Sequence, residues 1–265
     1  MFIHEISERS LPYESRNVPE GSVEVFYRLG SEVPVVAHPR DPVVTTLEPG
    51  SSYVGVQFHP GASNAILGAP IWELEGRTEG LDVVWGAMAR RFGGRLADAA
   101  DPEEAACLLE QALIARCAEG PRPDPLVKEL VRRLRPWRAR RVMDQARDLF
   151  ISPRQLRRRC WDALGFGPKM LHRLLRFRAF FALVHYRADG GDLTRLAVRA
   201  GYADQAHLAR ECLRLSGLTP RAFVADRMAT CAGSHDHSTS FADLHRVLLA
   251  AGVTPGHPRA RFAPH

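Results

Sequence analysis

Residues 193–223 constrain the fold of this 265-residue chain more than any other segment. Apolar residues recur every three or four positions from Leu193 to Ala200, which predicts a short helix with one buried stripe. Gly201 can adopt the left-handed conformation that ends a helix, and the Asp204 side chain can accept hydrogen bonds from the free amides of a following helix. The segment therefore predicts a helix-turn-helix.

The second helix of this unit is predicted over residues 205–216. If Leu208 and Cys212 face inward, a rotation of about 100° per residue turns small, polar and basic side chains outward. The outward set consists of Gln205 and Arg214 near the two ends, with Ala206, Ala209, Arg210 and Leu213 between them. Such a face suits the major groove of DNA, because small side chains permit close approach and arginine binds guanine edges or phosphate.

A similar plan occurs fifty residues earlier, counting from Gln155 to Gln205. A predicted helix over 142–149 is followed by Ser152, which is expected to cap a second helix, and by Pro153, which suits the first helical position. The two boundary signals therefore predict a first helix-turn-helix.

The second helix of this first unit is rich in arginine. Leu156 and Cys160 are predicted to face inward, and the outward residues are then Arg154, Arg158 and Trp161, with Arg157 beside them. Four arginines among six residues, directly after a capped helix start, favour nucleic-acid contact over an ordinary solvated basic face.

One long helix is predicted between the two units, over residues 167–187, because apolar residues again recur at every third or fourth position. Eighteen helical residues extend roughly 27 Å, close to the ~34 Å that separates successive turns of one DNA groove. Two reading helices joined in this way could enter adjacent segments of the major groove.

Residues 126–225 resemble the DNA-binding domain of the AraC/XylS family of transcription regulators, which has about seven helices and two helix-turn-helix units. The matching positions are Ser152, Arg154, Leu156 and Arg158 in the first unit, and Ala197, Gly201, Tyr202, Asp204, Gln205, Leu208, Arg210, Gly217, Thr219, Pro220 and Phe223 in the second. Cys160 and Cys212 depart from the family pattern, since each stands where a core phenylalanine is usual.

The resemblance implies roles for individual residues. It implies base contacts from Arg154, Arg157, Arg158, Gln205, Ala206, His207, Ala209 and Arg210. It implies a structural framework of Leu156, Cys160, Ala197, Gly201, Tyr202, Leu208, Cys212, Gly217, Pro220 and Phe223. The predicted phosphate contacts are Arg140, Arg141, Ser152 and Lys169.

The distribution of charge agrees with this division. The chain has a net charge of +6, but residues 126–228 hold 23 Lys and Arg against 9 Asp and Glu, whereas residues 1–125 hold 10 against 19. A basic half joined to an acidic half is expected when one domain neutralises phosphate and the other does something else. The predicted partner is therefore a double-stranded DNA operator, bound with a steep salt dependence.

The amino-terminal half predicts a small β sheet followed by helices. Short extended runs over residues 23–59 are separated by Pro, Gly and Asp, and helical patterns follow over 81–99, interrupted at Gly93 and Gly94, and over 102–118. Residues 15–120 resemble an uncharacterised sensory domain that precedes the AraC-type domain in some of these regulators. That resemblance leaves open an unknown small-molecule effector and a homodimer, for which the apolar stripe of helix 102–118 is a candidate surface and a core helix the simpler interpretation.

The predicted fold class is α+β, with a mainly-β sheet and helices followed by an all-α domain. The predicted domains are residues 1–120 for sensing or dimerisation, 121–228 for DNA binding, and 229–265 as a flexible tail containing His, Pro and Gly. With 45% hydrophobic residues, the chain can bury two cores of ordinary size.

Enzymatic and metal-binding functions find little support in the sequence. His38 and His59 lack the spacing of metal ligands, Ser63 is not in a nucleophile elbow, and the five cysteines form no CxxC pair. No catalytic residue, metal or cofactor is therefore predicted. The absence of a secretory stretch or an eighteen-residue apolar span predicts a cytoplasmic, nucleoid-associated protein that does not bind membranes.

Alternatives to an effector-controlled regulator stay open. The amino-terminal domain could bind small molecules or act as an enzyme, with DNA binding as targeting, or the chain could be an architectural DNA binder without an effector. Contact with RNA polymerase is also left open.

Overall fold

A computed structural model describes residues 1–6, 12–134, 136, 141–185 and 192–230 of the chain. Two of the predictions fall elsewhere: Arg140, expected to contact phosphate, and residues 231–265, expected to form most of the tail, lie outside the described residues. Contacts group the chain into two compact units, Met1–Leu134 with Arg140–Leu171 and Arg135–Ala139 with His172–His265. The first unit thus includes the first helix-turn-helix as well as the amino-terminal half. The domain boundaries predicted from the sequence stay a prediction.

Antiparallel strands build the beginning of the chain. They are β1 Phe2–Glu5, β2 Tyr13–Asn17, β3 Glu24–Arg28, β4 Val35–Ala37, β5 Val43–Leu47, β6 Ser52–Gln57 and β7 Thr78–Gly80. One sheet has the order β1-β6-β3-β4-β7, and β2 pairs with β5 in a two-stranded sheet. The sequence pattern predicts β3 to β6 and misses the other three, because those strands are rich in polar residues.

The core of this half lies on one face of the five-stranded sheet. Val25, Tyr27 and Val54 are fully buried there, on neighbouring strands β3 and β6. They belong to one apolar cluster with side chains from α1 Ser63–Leu67, α2 Asp82–Trp85, α3 Ala87–Ala97 and α4 Pro102–Glu119. The predicted order of a sheet followed by helices is therefore confirmed.

The apolar stripe of helix α4 packs into the core of the amino-terminal half. Ala105, Leu109 and Leu113 are buried in the apolar cluster, and Leu108 and Ala112 pack against it half-buried. The stripe is consequently a core surface and not the candidate dimer surface considered above. Asp101 begins the helix, because its side chain accepts a hydrogen bond from Glu104 N and Pro102 occupies the first turn.

The predicted helical break at Gly93 and Gly94 is wrong, since both residues lie inside α3. The break occurs instead at Gly86, which separates α2 from α3 with φ +56°. Gly93 has a packing role: a Cβ there would overlap the carbonyl oxygen of Glu32. A glycine inside a helical pattern can therefore mark a close backbone approach, which sequence spacing alone does not distinguish from a helix end.

The rest of the described chain is helical. The helices are α5 Pro125–Arg133, α6 Val142–Asp148, α7 Pro153–Leu164, α8 Pro168–His185, α9 Leu193–Ala200, α10 Gln205–Ser216 and α11 Pro220–Thr230. Helices α9 and α10 have the bounds predicted for them, and the predicted long helix of residues 167–187 is α8. Across the described ranges, every helix is too short or too polar to cross a membrane.

Candidate nucleic-acid interface

Helices α9 and α10 form the predicted second helix-turn-helix. Gly201 follows α9 in the left-handed conformation with φ +90°, and Tyr202 N donates a hydrogen bond to Ala197 O at 2.9 Å. Asp204 then begins α10, because its side chain accepts a hydrogen bond from His207 N at 2.6 Å. The glycine closes one helix and the aspartate opens the next, a cap that typically contributes about 1 kcal/mol.

The inner and outer faces of α10 separate as its periodicity predicts. Leu208 and Cys212 are fully buried. The exposed residues are Gln205, Ala206, Arg210, Leu213 and Arg214. Ala209 is half-buried between the two faces. One arginine flanked by small side chains therefore dominates the middle of the exposed face.

His207 and Gln205 have partners within their own unit. The His207 ring packs edge-on against the Tyr202 ring, with centroids 5.2 Å apart, and its Nδ1 accepts a long hydrogen bond from Ala203 N at 3.4 Å. Gln205 Oε1 accepts a hydrogen bond from Thr194 Oγ1 at 3.3 Å. A base contact by either side chain would require it to turn away from these partners.

Helix α7 has the stronger start of the two second helices. Ser152 Oγ accepts a hydrogen bond from Gln155 N at 3.2 Å, and Gln155 Oε1 accepts one from Ser152 N at 2.9 Å. This reciprocal capping box satisfies two amides that the helix leaves free, and Pro153 fills the first turn. Gly165, left-handed at φ +79°, ends the helix.

The outer face of α7 is basic. Leu156 and Cys160 are fully buried. The exposed side chains include Arg154, Arg157, Arg158 and Trp161, together with Gln155 and Asp162. Three exposed arginines on two successive turns give α7 a higher density of positive charge than α10 presents.

Arg159, the fourth arginine of this run, is bound to the protein itself. Its Nη1 donates a hydrogen bond to Asp124 Oδ2 at 2.6 Å. The other carboxylate oxygen of Asp124 accepts hydrogen bonds from Leu126 N at 2.8 Å and Val127 N at 3.3 Å, and so caps α5. Arg159 therefore ties α7 to the start of α5.

The two helix-turn-helix units correspond at an offset that differs from the fifty residues counted from Gln155. The caps Ser152 and Asp204 are 52 positions apart, as are Leu156 and Leu208 and also Cys160 and Cys212. Gln155 and Gln205 are thus unrelated positions: Gln155 belongs to the capping box, whereas Gln205 opens its helix. At this offset Arg154 corresponds to Ala206, Arg157 to Ala209 and Arg158 to Arg210.

The turn of the first unit contains a feature that the sequence pattern does not predict. Phe150 has φ +55°, and among the non-glycine residues of the described chain it alone has a positive φ. Ile151 N donates to Ala146 O at 3.1 Å, as Tyr202 N does to Ala197 O. These bonds correspond at an offset of 51, because the first turn is one residue shorter, and Phe150 therefore occupies the place that Gly201 fills in the second unit. A non-glycine residue in this conformation typically costs about 1–2 kcal/mol. Its side chain is 96% exposed.

The predicted phosphate contacts are only partly described. Arg141 and Lys169 are exposed, next to the first residues of α6 and in the first turn of α8. The Ser152 hydroxyl is exposed but already engaged in capping α7. Positive side chains near helix amino termini are well placed to meet phosphate together with the free amides there.

Within the second unit, α8 supports the second helix-turn-helix through the half-buried Arg173 and the buried Arg176. Arg173 donates to both oxygens of Glu211 on α10, at 2.7 and 3.1 Å. Arg176 lies over the Tyr202 ring, 5.4 Å from its centroid. Sequence periodicity marks α8 as apolar and gives no sign that its arginines point inward.

The turn after α10 is fixed by aromatic packing. Gly217 ends α10 with φ +73° and Pro220 begins α11. Phe223 is fully buried, with its ring centroid 5.3 Å from that of Phe177 and 5.4 Å from that of Phe181. These contacts hold α11 against α8. Of the predicted framework residues of this turn, Pro220 and Phe223 are buried, whereas Gly217 is exposed.

The cysteines inside α7 and α10 are unreactive. Burial raises the pKa of Cys160 to about 12 and the pKa of Cys212 to about 11. Both therefore stay neutral thiols at neutral pH and act as small apolar core residues. Among the described residues, no three His, Cys, Asp or Glu side chains come together as a metal-binding group.

Two family models match the chain. Residues 145–226 match a model described as a helix-turn-helix domain, and residues 1–79 match a model described as a domain of unknown function, DUF6597. No curated protein matches the chain significantly. The first match runs from α6 into α11, so it includes both turns and the second helix of each unit, α7 and α10.

Solved structures of ToxT from Vibrio cholerae are similar to this chain at low identity. The structure from strain O395 has 11% identity and a TM-score of 0.47, and the alignment covers 85% of this chain and 96% of ToxT. A second crystal form has 8% identity and a TM-score of 0.44, with 85% and 93% covered. An apo variant with one substitution has 9% identity and a TM-score of 0.42, with 84% and 91% covered.

The helix-turn-helix model matches the part of the chain in which the structure has two helix-turn-helix units. Two helix-turn-helix units, each with a capped second helix and a buried leucine and cysteine at corresponding positions, occupy the matched range. The chain is therefore a protein with an AraC-type helix-turn-helix domain near its carboxyl end and an amino-terminal domain from a family of unknown function.

Proposed function

We propose that the chain is a sequence-specific transcription regulator that binds a double-stranded DNA operator through α7 and α10. The observation that carries this proposal is the equivalence of the two helices: each buries a leucine and a cysteine and exposes an arginine at the same position, Arg158 or Arg210. An exposed arginine in the middle of a capped helix can bind a guanine edge in the major groove.

In this proposal α7 and α10 contribute unequally to the recognition of base sequence. Helix α7 exposes Arg154, Arg157 and Arg158, whereas α10 has Ala206, Ala209 and Arg210 at the corresponding positions. Arginine forms bidentate contacts with guanine, while alanine permits close approach and meets thymine methyl groups. We therefore assign most of the sequence discrimination to α7.

The remaining contacts in this proposal are two further base contacts from α10 and a set of phosphate contacts. Gln205 and His207 complete the base-contacting set of α10, once they release Thr194 and Tyr202. Arg141, Lys169 and the capped amino terminus at Ser152 bind phosphate, as Arg140 does in this proposal. Phosphate contacts fix the register on DNA and add affinity for all sequences.

Regulation is assigned to the amino-terminal half. Its acidic charge makes it a poor partner for phosphate, and its own buried core gives it a separate role. We propose that it responds to a small-molecule effector in a cytoplasmic, nucleoid-associated protein, and that homodimerisation and contact with RNA polymerase belong to its action. An enzymatic domain or an architectural DNA binder would behave differently in the experiment below.

The test begins with selection of duplexes from a random library by the full chain. The enriched duplex and a scrambled duplex are then titrated at two salt concentrations. We expect a compact motif and an affinity ratio of at least about 10³ between the two duplexes, as specific regulators show. Salt-sensitive binding without a motif would identify an architectural binder and overturn the proposal.

A further inference from the structure

The first reading helix is in direct contact with the amino-terminal sheet, and both belong to the first compact unit. His38, the residue after β4, is 3% exposed, and its Nε2 lies 2.8 Å from the carbonyl oxygen of Leu164. Leu164 is the last residue of α7. The bond therefore joins a β strand to the carboxyl end of a reading helix that lies 126 residues further along the chain.

The donor in this bond is defined by chemistry. A carbonyl oxygen can only accept, so the imidazole Nε2 must carry a hydrogen and donate it. Burial lowers the pKa of His38, which keeps the ring neutral with its single hydrogen on Nε2. The carbonyl oxygen of Leu164 is one of the four that a helix leaves without an internal donor, and His38 supplies that donor.

The backbone of His38 is held in place on the amino-terminal side. His38 N donates to Arg77 O at 2.9 Å, and Gly76 N donates to His38 O at 2.8 Å. The strand thus continues its pairing through His38, and the imidazole is carried by a rigid element. A shift of β4 or of its partner segment would move the donor.

The acceptor side of this hydrogen bond, at the carboxyl end of α7, also has little free space. Gly165 follows Leu164 with φ +79°, and a Cβ at this position would lie 3.2 Å from His38 Nε2 and 3.4 Å from Ile71 O. A side chain at position 165 would therefore crowd the imidazole and require it to shift by a few tenths of an ångström. The Phe166 ring also contacts the imidazole, with centroids 5.8 Å apart.

We propose that His38 is a positioning residue through which the amino-terminal domain sets the end of the first reading helix, and so adjusts base readout by α7 without touching DNA. This inference rests on the proposed function. It identifies the first reading helix as one that responds to the state of the amino-terminal domain, through the bond between His38 and Leu164.

Two amide substitutions separate the hydrogen bond from the loss of the ring. In His38→Gln the side-chain nitrogen reaches the position of Nε2 and can still donate to Leu164 O. In His38→Asn the nitrogen reaches only the position of Nδ1, which faces Ser22 O at 3.4 Å. The readouts are hydrogen exchange of the amides in the last turn of α7 and the affinity for duplexes changed at single bases.

We expect His38→Asn to speed exchange in the last turn of α7 and to reduce discrimination at the bases read by α7 by about tenfold, the scale of leaving one buried carbonyl without its donor. Discrimination at bases read by α10 should stay within about twofold. His38→Gln should restore both readouts, whereas a general loss of fold would change all bases alike and lower the active fraction.

A glycine pair gives a second test that does not remove the histidine. Gly165→Ala and Gly30→Ala both place a Cβ at a positive φ, +79° and +83°, but only the first meets His38, since nothing lies within 4 Å at Gly30. Gly165→Ala should reproduce the effect of His38→Asn on α7, and Gly30→Ala should leave base discrimination at the wild-type level.

The outcomes distinguish the two proposals. If the wild type discriminates between duplexes and all four variants match it in both readouts, the positioning role is wrong and the proposed function stands. If the wild type shows no discrimination, the proposed function fails, and hydrogen exchange alone decides whether His38 fixes α7. Equal exchange in the Asn and Gln variants would overturn the inference in either case.

Discussion

Arg159 Nη1 donates a 2.6 Å hydrogen bond to Oδ2 of Asp124, whose other oxygen caps α5. The Asp124 carboxylate thus caps α5 and also binds α7 through Arg159. Arg159 therefore has a structural role, unlike the three exposed arginines of α7. Because Arg159 is bound to Asp124, we expect its substitution to affect stability, whereas substitution of Arg154 or Arg158 should affect DNA binding.

We expect Arg159→Met to lower the free energy of unfolding by about 1 kcal/mol, the scale of a charge-assisted hydrogen bond that is partly exposed. Urea unfolding in a double-mutant cycle with Asp124→Asn measures the coupling, because asparagine still caps α5 but carries no charge. The effect of Arg159→Met should shrink in the Asp124→Asn background. Equal effects in both backgrounds would show that the ion pair contributes nothing.

Lys169 and Arg141 should affect DNA binding through phosphate alone. Removing either one by Lys169→Ala or Arg141→Ala should weaken binding to all sequences and lower the slope of log affinity against log salt by about one. Titration of specific and scrambled duplexes at several salt concentrations measures this slope. Arg91→Ala, an exposed arginine on α3, is the control for net charge and should leave the slope unchanged. A loss confined to the specific duplex would instead indicate a base contact.

Phe150 is strained and its ring is solvated, so it contributes little to stability. Phe150→Asn should raise the free energy of unfolding by about 0.5–1 kcal/mol, because asparagine tolerates a positive φ and no packing is lost. Thermal unfolding of the two proteins checks this. A clear fall in the melting temperature would mean that the phenyl ring makes a stabilising contact.

Glu24 on β3 should make stability depend on pH. Burial raises the pKa of Glu24 from its usual 4.5 to about 7, the nearby Glu20 carboxylate raises it further, and a hydrogen bond from Asn17 Nδ2 opposes the shift. Since the folded chain holds this proton more tightly than the unfolded chain, the stabilisation is complete below pH 4.5 and is lost as the pH rises through about 7.

Glu24→Gln imitates the protonated carboxyl at every pH. The difference in unfolding free energy between Glu24→Gln and the wild type should therefore grow by about 3 kcal/mol from about pH 4.5 to pH 7 and then level off. Urea unfolding at several pH values measures it. Burial also lowers the pKa of His4 to about 4, and this shift changes stability with pH in the opposite direction. The comparison with Glu24→Gln cancels that contribution, because both proteins contain His4. A constant difference across the range would contradict the raised pKa.

The sequence predicts the reading helices well because local signals define them. Asp204, Ser152 and Gly201 act within a few residues of where they stand, and the 3.6-residue period separates Leu208 from Arg210 without reference to the rest of the chain. The strand order β1-β6-β3-β4-β7 depends on pairings between distant residues and leaves no such local signal.

The contacts that support the reading helices could not be predicted for the same reason. Arg159 and Asp124 are 35 residues apart, and His38 and Leu164 are 126 residues apart. Arg159, Asp124 and His38 each look like ordinary surface or loop residues in their own sequence neighbourhood, and the partner of His38 is a backbone carbonyl, which leaves no sequence signal. Phe150 is a different case, since its positive φ is imposed by the closing hydrogen bonds of the turn against the preference of the residue.

The most direct test of the account is a base-by-base substitution scan of the selected duplex with the wild type, Arg158→Ala and Arg210→Ala. Each variant should lose about 1–3 kcal/mol of discrimination at one or two base pairs, and the affected positions should lie about one helical turn apart for the two variants. Equal losses of affinity on all duplexes, the scrambled one included, would show that both arginines bind only phosphate and would contradict sequence reading by α7 and α10.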